Sequence, residues 1–118
     1  MKTKYIIMIA ILTIVIVSGY GIYKNNLTPG EYDEFAKCIS EKNAVMYGTD
    51  WCSYCQKQKS MFGKSFDYVN YVNCDYNKEE CISNRVEGYP TWKINNKTYS
   101  GVQPLEHLST LTECDLNP

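Results

Sequence analysis

The stretch that decides the fold is AVMYGTDWCSYC, residues 44–55. It opens with an apolar run, residues 44–48, that is long enough for a β-strand and too short for a helix. The next run, residues 52–64, contains many helix formers and begins just after Asp50, so Cys52 and Cys55 lie on the first turn of a predicted helix. Two cysteines with this spacing are close enough to form a small disulfide ring. The sequence thus predicts a dithiol where a strand leads into a helix.

The chemistry of this cysteine pair follows from its position. The free N–H groups and the dipole at a helix start favour the thiolate of Cys52, and the thiolate is the nucleophile of thiol–disulfide exchange. Cys55, one turn deeper, is expected to be shielded and to resolve a mixed disulfide formed at Cys52. The alternatives are an inert disulfide or half of a zinc site. A closed zinc site takes four ligands, but Cys74 and Cys81 are the only other close pair and His107 is remote in sequence. We therefore predict a redox dithiol with no metal and no cofactor.

Hydrophobic patterns on both sides of this strand and helix predict an α/β domain. The order of elements is helix, then β-α-β, a short helix, then β-β-α, and Asn95-Asn96 is a tight-hairpin signal between the last two strands. This order predicts a four-stranded mixed sheet flanked by helices. The further predicted elements are helices at 31–42, 79–85 and 104–113 and strands at 68–74, 91–94 and 97–100.

Two motifs together resemble the thioredoxin superfamily: the Trp51-Cys-x-x-Cys55 motif after a strand, and residues 88–91, Gly-Tyr-Pro-Thr, further along the chain. The resemblance covers about residues 31–114 and extends to the order of elements. It is closer still to the thioredoxin-like domain that accompanies vitamin K epoxide reductase homologues. The segments similar to that subgroup are residues 35–37, 46–48, 58–63, 71–74, 89–92 and 99–103.

The resemblance implies a thioredoxin-like fold and a protein-disulfide oxidoreductase. It also implies that Pro90 is cis and lies against the two cysteines, and that Tyr89 offers its backbone to the substrate chain. Trp51, Tyr89 and Pro90 are accordingly our predicted substrate-binding residues. The dipeptide between the cysteines, Ser53-Tyr54, does not fix the direction of electron flow, since potentials in this superfamily range from about −270 to about −120 mV.

The resemblance implies two kinds of partner as well. Cysteine-containing exported proteins would be the clients, and a quinone-linked membrane oxidoreductase resembling vitamin K epoxide reductase would restore the disulfide. The alternatives are a thiol reductase or isomerase outside the cytoplasm, or a non-enzymatic, disulfide-stapled interaction module.

The N-terminal segment predicts a membrane anchor. Residues 5–23 carry no charge and would span roughly 28 Å as a helix, close to the ~30 Å hydrocarbon core of a bilayer. Lys2 and Lys4 precede the run and favour a cytoplasmic N-terminus, which places the remaining chain on the extracytoplasmic side of a single-pass membrane protein. The alternative is a cleaved signal peptide, with Gly19 and Gly21 as the small residues of its cleavage site.

We therefore divide the chain into an anchor at 1–23, a linker at 24–30 and a thioredoxin-like domain at 31–118. The chain has 12 basic residues, three of them within the first 30 positions, while all 13 acidic residues follow. Residues 31–118 thus carry 9 basic and 13 acidic groups, a net charge of 9 − 13 = −4. Such a domain has no electrostatic attraction for nucleic acid.

Six cysteines suit a compartment in which disulfides persist. With the dithiol set apart, the other four allow three pairings. Cys74 and Cys81 flank one loop, and Cys38 and Cys114 lie on the first and last predicted helices of the domain. We predict Cys74–Cys81 and Cys38–Cys114 as structural disulfides. Two alternatives stay open: Cys74–Cys81 as a relay pair that passes electrons to another protein, and Cys38 as a buried free thiol.

Overall fold

The computed structural model describes residues 1–117, so Pro118, the last residue of the predicted domain, lies outside the described residues. Every predicted helix and strand is present, and a 3-10 helix is added. The elements are α1 (Lys2–Leu27), α2 (Asp33–Glu41), β1 (Val45–Gly48), α3 (Ser53–Phe62), the 3-10 helix (Gly63–Tyr68), β2 (Asn70–Asn73), α4 (Lys78–Ser83), β3 (Thr91–Ile94), β4 (Lys97–Ser100) and α5 (Leu105–Thr112).

Two predicted boundaries were wrong around the 3-10 helix. The helix predicted at 52–64 ends at Phe62, because Gly63 adopts a φ of 56°, a left-handed conformation that glycine adopts without strain. The chain then forms the 3-10 helix through Tyr68, so the strand predicted from 68 is limited to Asn70–Asn73.

The predicted linker at 24–30 was also too long. Helix α1 continues through Lys24 to Leu27, and Thr28 is extended with φ −75° and ψ 123°. Thr28 precedes Pro29, and a residue before proline is disfavoured in the helical conformation. The proline therefore sets the end of the helix, and the connection to α2 is shorter than the sequence suggested.

The four strands form one mixed sheet in the order β2-β1-β3-β4. Strand β1 runs parallel to β2 and antiparallel to β3, and β3 pairs antiparallel with β4. Asn95 and Asn96 both have positive φ, 51° and 62°, as a two-residue hairpin turn requires. This arrangement confirms the predicted thioredoxin-like fold.

Strand β1 is covered on both faces of the sheet: its neighbouring residues point to opposite sides, and Met46 and Tyr47 are both buried. Met46 belongs to the larger cluster, to which α2, α3 and α5 contribute, while Tyr47 packs with Cys74 and Cys81 on the side of α4. Large side chains with almost no exposure form the centre of the larger cluster: Phe35, Ile39, Met46, Phe62, Trp92, Ile94 and Leu108.

Two disulfides close the domain as predicted. Cys38 on α2 is bonded to Cys114, just after α5, and Cys74 after β2 is bonded to Cys81 on α4. The alternative of a free Cys38 thiol is therefore wrong. The first bond joins the two ends of the domain, and the second closes the loop between β2 and α4.

Helix α1 has 26 residues and no buried residue, and an 18-residue stretch of it has a mean hydropathy of 2.4. It is long and apolar enough to cross a membrane, and a signal sequence would have the same character. The predicted orientation, with the domain on the extracytoplasmic side, stays a prediction.

Candidate active site

The two free thiols lie at the junction of β1 and α3. Strand β1 ends at Gly48, three residues turn the chain, and Cys52 is the N-cap of α3. The sulfur of Cys52 accepts a hydrogen bond from the backbone N–H of Cys55 at 3.2 Å. An N-cap side chain satisfies one of the unpaired N–H groups of a helix start. This is the local geometry on which the prediction of Cys52 as nucleophile depends.

The two thiols differ in access. Cys52 keeps 8% of its surface exposed and Cys55 keeps none. The sulfur of Cys52 also lies 3.7 Å from the carbonyl oxygen of Tyr89, across the opening of the site. A substrate sulfur can therefore reach Cys52 first, and Cys55 can act only from behind it.

The buried thiol is strongly disfavoured as an anion. Burial raises the pKa of Cys55 to about 12, with a further contribution from its hydrogen bond to Cys52, while the positive charge of Lys59 opposes the rise. The close packing also explains the glycine at the end of β1, since a Cβ atom on Gly48 would lie 2.8 Å from the sulfur of Cys55.

The loop opposite the dithiol contains Tyr89 and Pro90, and the peptide bond between them is cis, as the resemblance implied. Pro90 is buried and Tyr89 is half-buried. The hydroxyl of Thr91 donates to the carbonyl of Gly88 at 2.7 Å, and the N–H of Gly101 donates to the carbonyl of Pro90 at 2.8 Å. These bonds hold the loop so that the Tyr89 carbonyl faces Cys52.

An aromatic rim surrounds the reactive sulfur. Trp51 is 70% exposed, its indole lies edge-on to the ring of Tyr89 with centroids 6.1 Å apart, and Tyr54 is 65% exposed. The indole N–H of Trp51 donates to Asp75 at 2.9 Å. Asp75 is not among the residues predicted from the sequence. Its signal was available, because Asp75 follows β2 as Trp51 follows β1, and the carboxyl ends of parallel neighbours lie at the same edge of a sheet.

A buried glutamine orients the helix that contains the dithiol. Gln58 has no exposure, and its Oε1 accepts from the indole N–H of Trp92 at 3.1 Å and from the backbone N–H of Gln103 at 2.7 Å. Its Nε2 donates to the carbonyl of Gln103 at 2.9 Å. Sequence reasoning missed this residue, because a polar side chain on α3 gave no sign of burial.

The remaining predicted residues are less exposed than Cys52 or lie on other elements. Cys74 and Cys81 keep 3% and 4% of their surface exposed, so their disulfide is less accessible than Cys52. His107 is exposed on α5, and its Nδ1 lies 2.8 Å from the Oε1 of Gln103. Within residues 1–117, no group of three or more His, Cys, Asp or Glu side chains is placed to hold a metal ion.

No family model matches the chain. It is 40% identical over 91 residues to a thiol-disulfide oxidoreductase of Arabidopsis thaliana, a match that covers 70% of this chain and 24% of that protein. It is 26% identical over 121 residues to a protein of Dictyostelium discoideum with the provisional name of protein disulfide-isomerase. That match covers 91% of this chain and 30% of that protein. The chain thus spans a third or less of the length of these relatives.

Solved thioredoxins are similar at a greater distance. Thioredoxin from Fasciola hepatica is 22% identical with a TM-score of 0.46, and the match covers 61% of this chain and 79% of that one. A thioredoxin variant from Halobacterium salinarum is 21% identical with a TM-score of 0.48, and the match covers 72% of this chain and 87% of that one.

Proposed function

We propose that this chain, with its thioredoxin-like fold, is a membrane-tethered thiol–disulfide oxidoreductase that exchanges electrons through Cys52 and Cys55. The observation that carries the proposal is the pairing of an N-capping, accessible thiol with a fully buried one a single helical turn away. Beside them, the backbone carbonyl of Tyr89 faces the accessible sulfur.

In the reductive direction the thiolate of Cys52 attacks a substrate disulfide, forms a mixed disulfide and releases one substrate thiolate. Cys55 then loses its proton and attacks the sulfur of Cys52. The second substrate thiolate leaves, and two electrons have passed from the dithiol to the substrate. The oxidative direction is the reverse, in which a substrate thiolate opens the Cys52–Cys55 disulfide.

We favour the oxidative direction, with cysteine-containing exported proteins as clients and a quinone-linked partner resembling vitamin K epoxide reductase. The support is the resemblance of residues 31–114 to domains that accompany such reductases, together with the apolar helix α1. A chain confined to the bilayer surface meets a membrane partner at raised effective concentration.

A second candidate is disulfide isomerisation or reduction in the same compartment. The provisional name of the Dictyostelium relative favours it. Isomerisation needs the reduced dithiol at steady state, whereas oxidation needs the disulfide, so the redox state of the pair in the cell separates the two.

The test is trapping of mixed disulfides in the full chain. Cys55→Ala removes the resolving thiol and is expected to accumulate complexes between Cys52 and client cysteines, while Cys52→Ala is expected to accumulate few. Non-reducing gels followed by identification of the trapped proteins give the clients, and a trapped membrane oxidoreductase gives the partner. Equal trapping by the two variants would contradict the assigned roles.

The equilibrium of the Cys52–Cys55 pair with reduced and oxidised glutathione then gives the direction. A potential near the oxidising end of the superfamily, about −120 mV, favours the oxidase, and one near about −270 mV favours the reductase.

A further inference from the structure

The proposed exchange requires a thiolate at Cys55 in both directions. In reduction the sulfur of Cys55 attacks Cys52, and in oxidation the same bond breaks and Cys55 leaves with the electron pair. Cys55 has no exposure to solvent. A negative charge on a buried sulfur is costly unless a nearby positive charge or hydrogen bond stabilises it.

One ammonium group lies on the same side of α3 as this sulfur. Lys59 follows Cys55 by four residues, which places the two on one helix face. The Nζ atom of Lys59 lies 4.0 Å from the ring centroid of Tyr71 and 3.4 Å from a carboxylate oxygen of Asp50. The sulfur of Cys55 and the ring of Tyr71 are neighbours. A Cβ atom added to Gly48 would lie 2.8 Å from that sulfur and 3.4 Å from the edge of that ring.

The ring of Tyr71 thus lies close to both the thiol and the ammonium group. The Tyr71 hydroxyl is buried and has no hydrogen-bond partner among residues 1–117, and burial raises the pKa of this phenol well above its usual range. The phenol therefore stays neutral. Within residues 1–117, Lys59 is the one positive group whose charge acts on the Cys55 thiol, and the other titratable group that acts on it is Cys52. The carboxylates of Asp50 and Asp75 act on the neighbouring Tyr71 phenol.

We propose that Lys59 is a positioning residue whose ammonium group, held over the ring of Tyr71 and beside Asp50, stabilises the Cys55 thiolate during exchange. The side chain is 27% exposed, so it retains its charge while its stem covers the ring. The inference rests on the proposed function and adds the group that lets the buried Cys55 thiol ionise during exchange. It acts through its electric field and does not touch the substrate.

The test follows the two half-reactions separately in the reduced full chain in detergent micelles. Dithiobis-nitrobenzoate reacts with Cys52 to give a mixed disulfide and one coloured thionitrobenzoate. Cys55 then attacks that mixed disulfide, releases a second thionitrobenzoate and loses its proton to solvent. Stopped-flow absorbance resolves the two releases, and the second reports on Cys55.

Lys59→Met removes the charge and keeps most of the stem. We expect an unchanged first release, a second release slowed about tenfold at pH 7, and a pH profile of the second step displaced by about one unit to higher pH. Lys59→Arg keeps the charge and is expected to restore the second release. Lys57→Met, the same change at an exposed lysine of α3, is the matched control and should leave both releases unchanged.

Three results would overturn the proposal. The first is a normal second release in Lys59→Met, and the second is a slow second release in Lys59→Arg as well. The third is an equally slow second release in Tyr71→Phe, which keeps the ring and would assign the effect to the hydroxyl. If Lys59→Met unfolds, Lys59→Gln takes its place. Failure of the proposed function looks different, since the unaltered chain would then fail to exchange with a disulfide-bonded peptide.

Discussion

The cysteine pair after β1 and the cysteine pair after β2 lie at the same edge of the sheet but in different surroundings. Cys52 caps a helix, and its opening is bordered by the exposed aromatic rings of Trp51 and Tyr54. Cys74 and Cys81 are enclosed by the apolar side chains of Tyr47, Val45, Val72 and Val86. Two sulfurs lie close together in both pairs, but only the pair after β1 combines a helix start with an open surface, which is the setting that the proposed exchange needs.

The two pairs are also positioned by different means. The disulfide at Cys74 and Cys81 fixes the loop that contains Asp75, which in turn accepts a hydrogen bond from Trp51. The helix of the dithiol is fixed instead by the buried amide of Gln58. In the proposed exchange the Cys52–Cys55 disulfide forms and breaks in each cycle, so it cannot hold the site in position. The permanent Cys74–Cys81 disulfide holds the neighbouring loop instead, and the hydrogen bonds of Gln58 hold α3.

The largest contrast is expected when each pair is removed in turn. Cys52→Ala should reduce exchange with a disulfide-bonded peptide to the uncatalysed rate. The double variant Cys74→Ala, Cys81→Ala should keep exchange within about threefold, because the disulfide reaches the dithiol only through neighbours such as Asp75, whose single exposed hydrogen bond to Trp51 is weak. It should lower the free energy of unfolding by about 2–3 kcal/mol. Peptide turnover and denaturant unfolding measure the two effects. Loss of exchange with a membrane partner at unchanged stability would restore the relay interpretation.

The second contrast lies within the dithiol and depends on pH. At pH 7 an alkylating reagent should modify Cys52 first, because Cys55 has no exposed surface. Burial raises the pKa of Cys55 to about 12, so its alkylation rate should rise about tenfold per pH unit between pH 8 and pH 10 without a plateau. Mass spectrometry of peptides after timed quenching measures both rates. A plateau below pH 10, or earlier modification of Cys55, would contradict the buried position of that thiol.

The same raised pKa makes a prediction for stability. A thiol that stays protonated in the folded protein but ionises once unfolded favours unfolding as pH rises above its ordinary pKa. The contribution of Cys55 is therefore fully present below about pH 9 and is lost progressively up to about pH 12. Unfolding of the reduced protein, compared with Cys55→Ala over that interval, measures this slope.

The third contrast tests the polar frame of α3. Gln58→Leu leaves the indole N–H of Trp92 and the N–H of Gln103 buried without an acceptor, which should cost about 2–4 kcal/mol of unfolding free energy. Lys57→Leu, at an exposed position of the same helix whose side chain makes no hydrogen bond within residues 1–117, is the control and should change stability by no more than about 0.5 kcal/mol. Comparable losses at the two positions would show that Gln58 does not hold the helix.

Local sequence patterns predicted the helices and strands around both cysteine pairs. They did not predict the buried position of Gln58, which depends on contacts distant in sequence. The dithiol, the hairpin at Asn95-Asn96 and the loop between Cys74 and Cys81 each have their signal within a few residues. Gln58 has partners 34 and 45 residues away, so no local pattern could indicate its burial.

The roles of Trp51, Tyr89 and Pro90 came from the resemblance, and the structure brings Tyr89 and the adjoining Trp51 to the sulfur of Cys52. No local pattern singled out Lys59. Its proposed role depends on contacts with Tyr71, 12 residues away, and with Asp50, nine residues away.

The smallest contrast concerns the bond that links the two regions. Asp75→Ala removes the acceptor of the Trp51 indole, while Asp75→Asn keeps an oxygen at the same place. A single exposed hydrogen bond contributes about 0.5–1.5 kcal/mol, so Asp75→Ala should raise KM for a disulfide-bonded peptide about threefold at nearly unchanged kcat. Asp75→Asn should stay within experimental error of the unaltered chain. If KM rises equally in the two variants, the carboxylate charge acts on the dithiol, and the loop closed by Cys74–Cys81 contributes an electrostatic field. If KM rises only in Asp75→Ala, the loop acts by holding Trp51 in place.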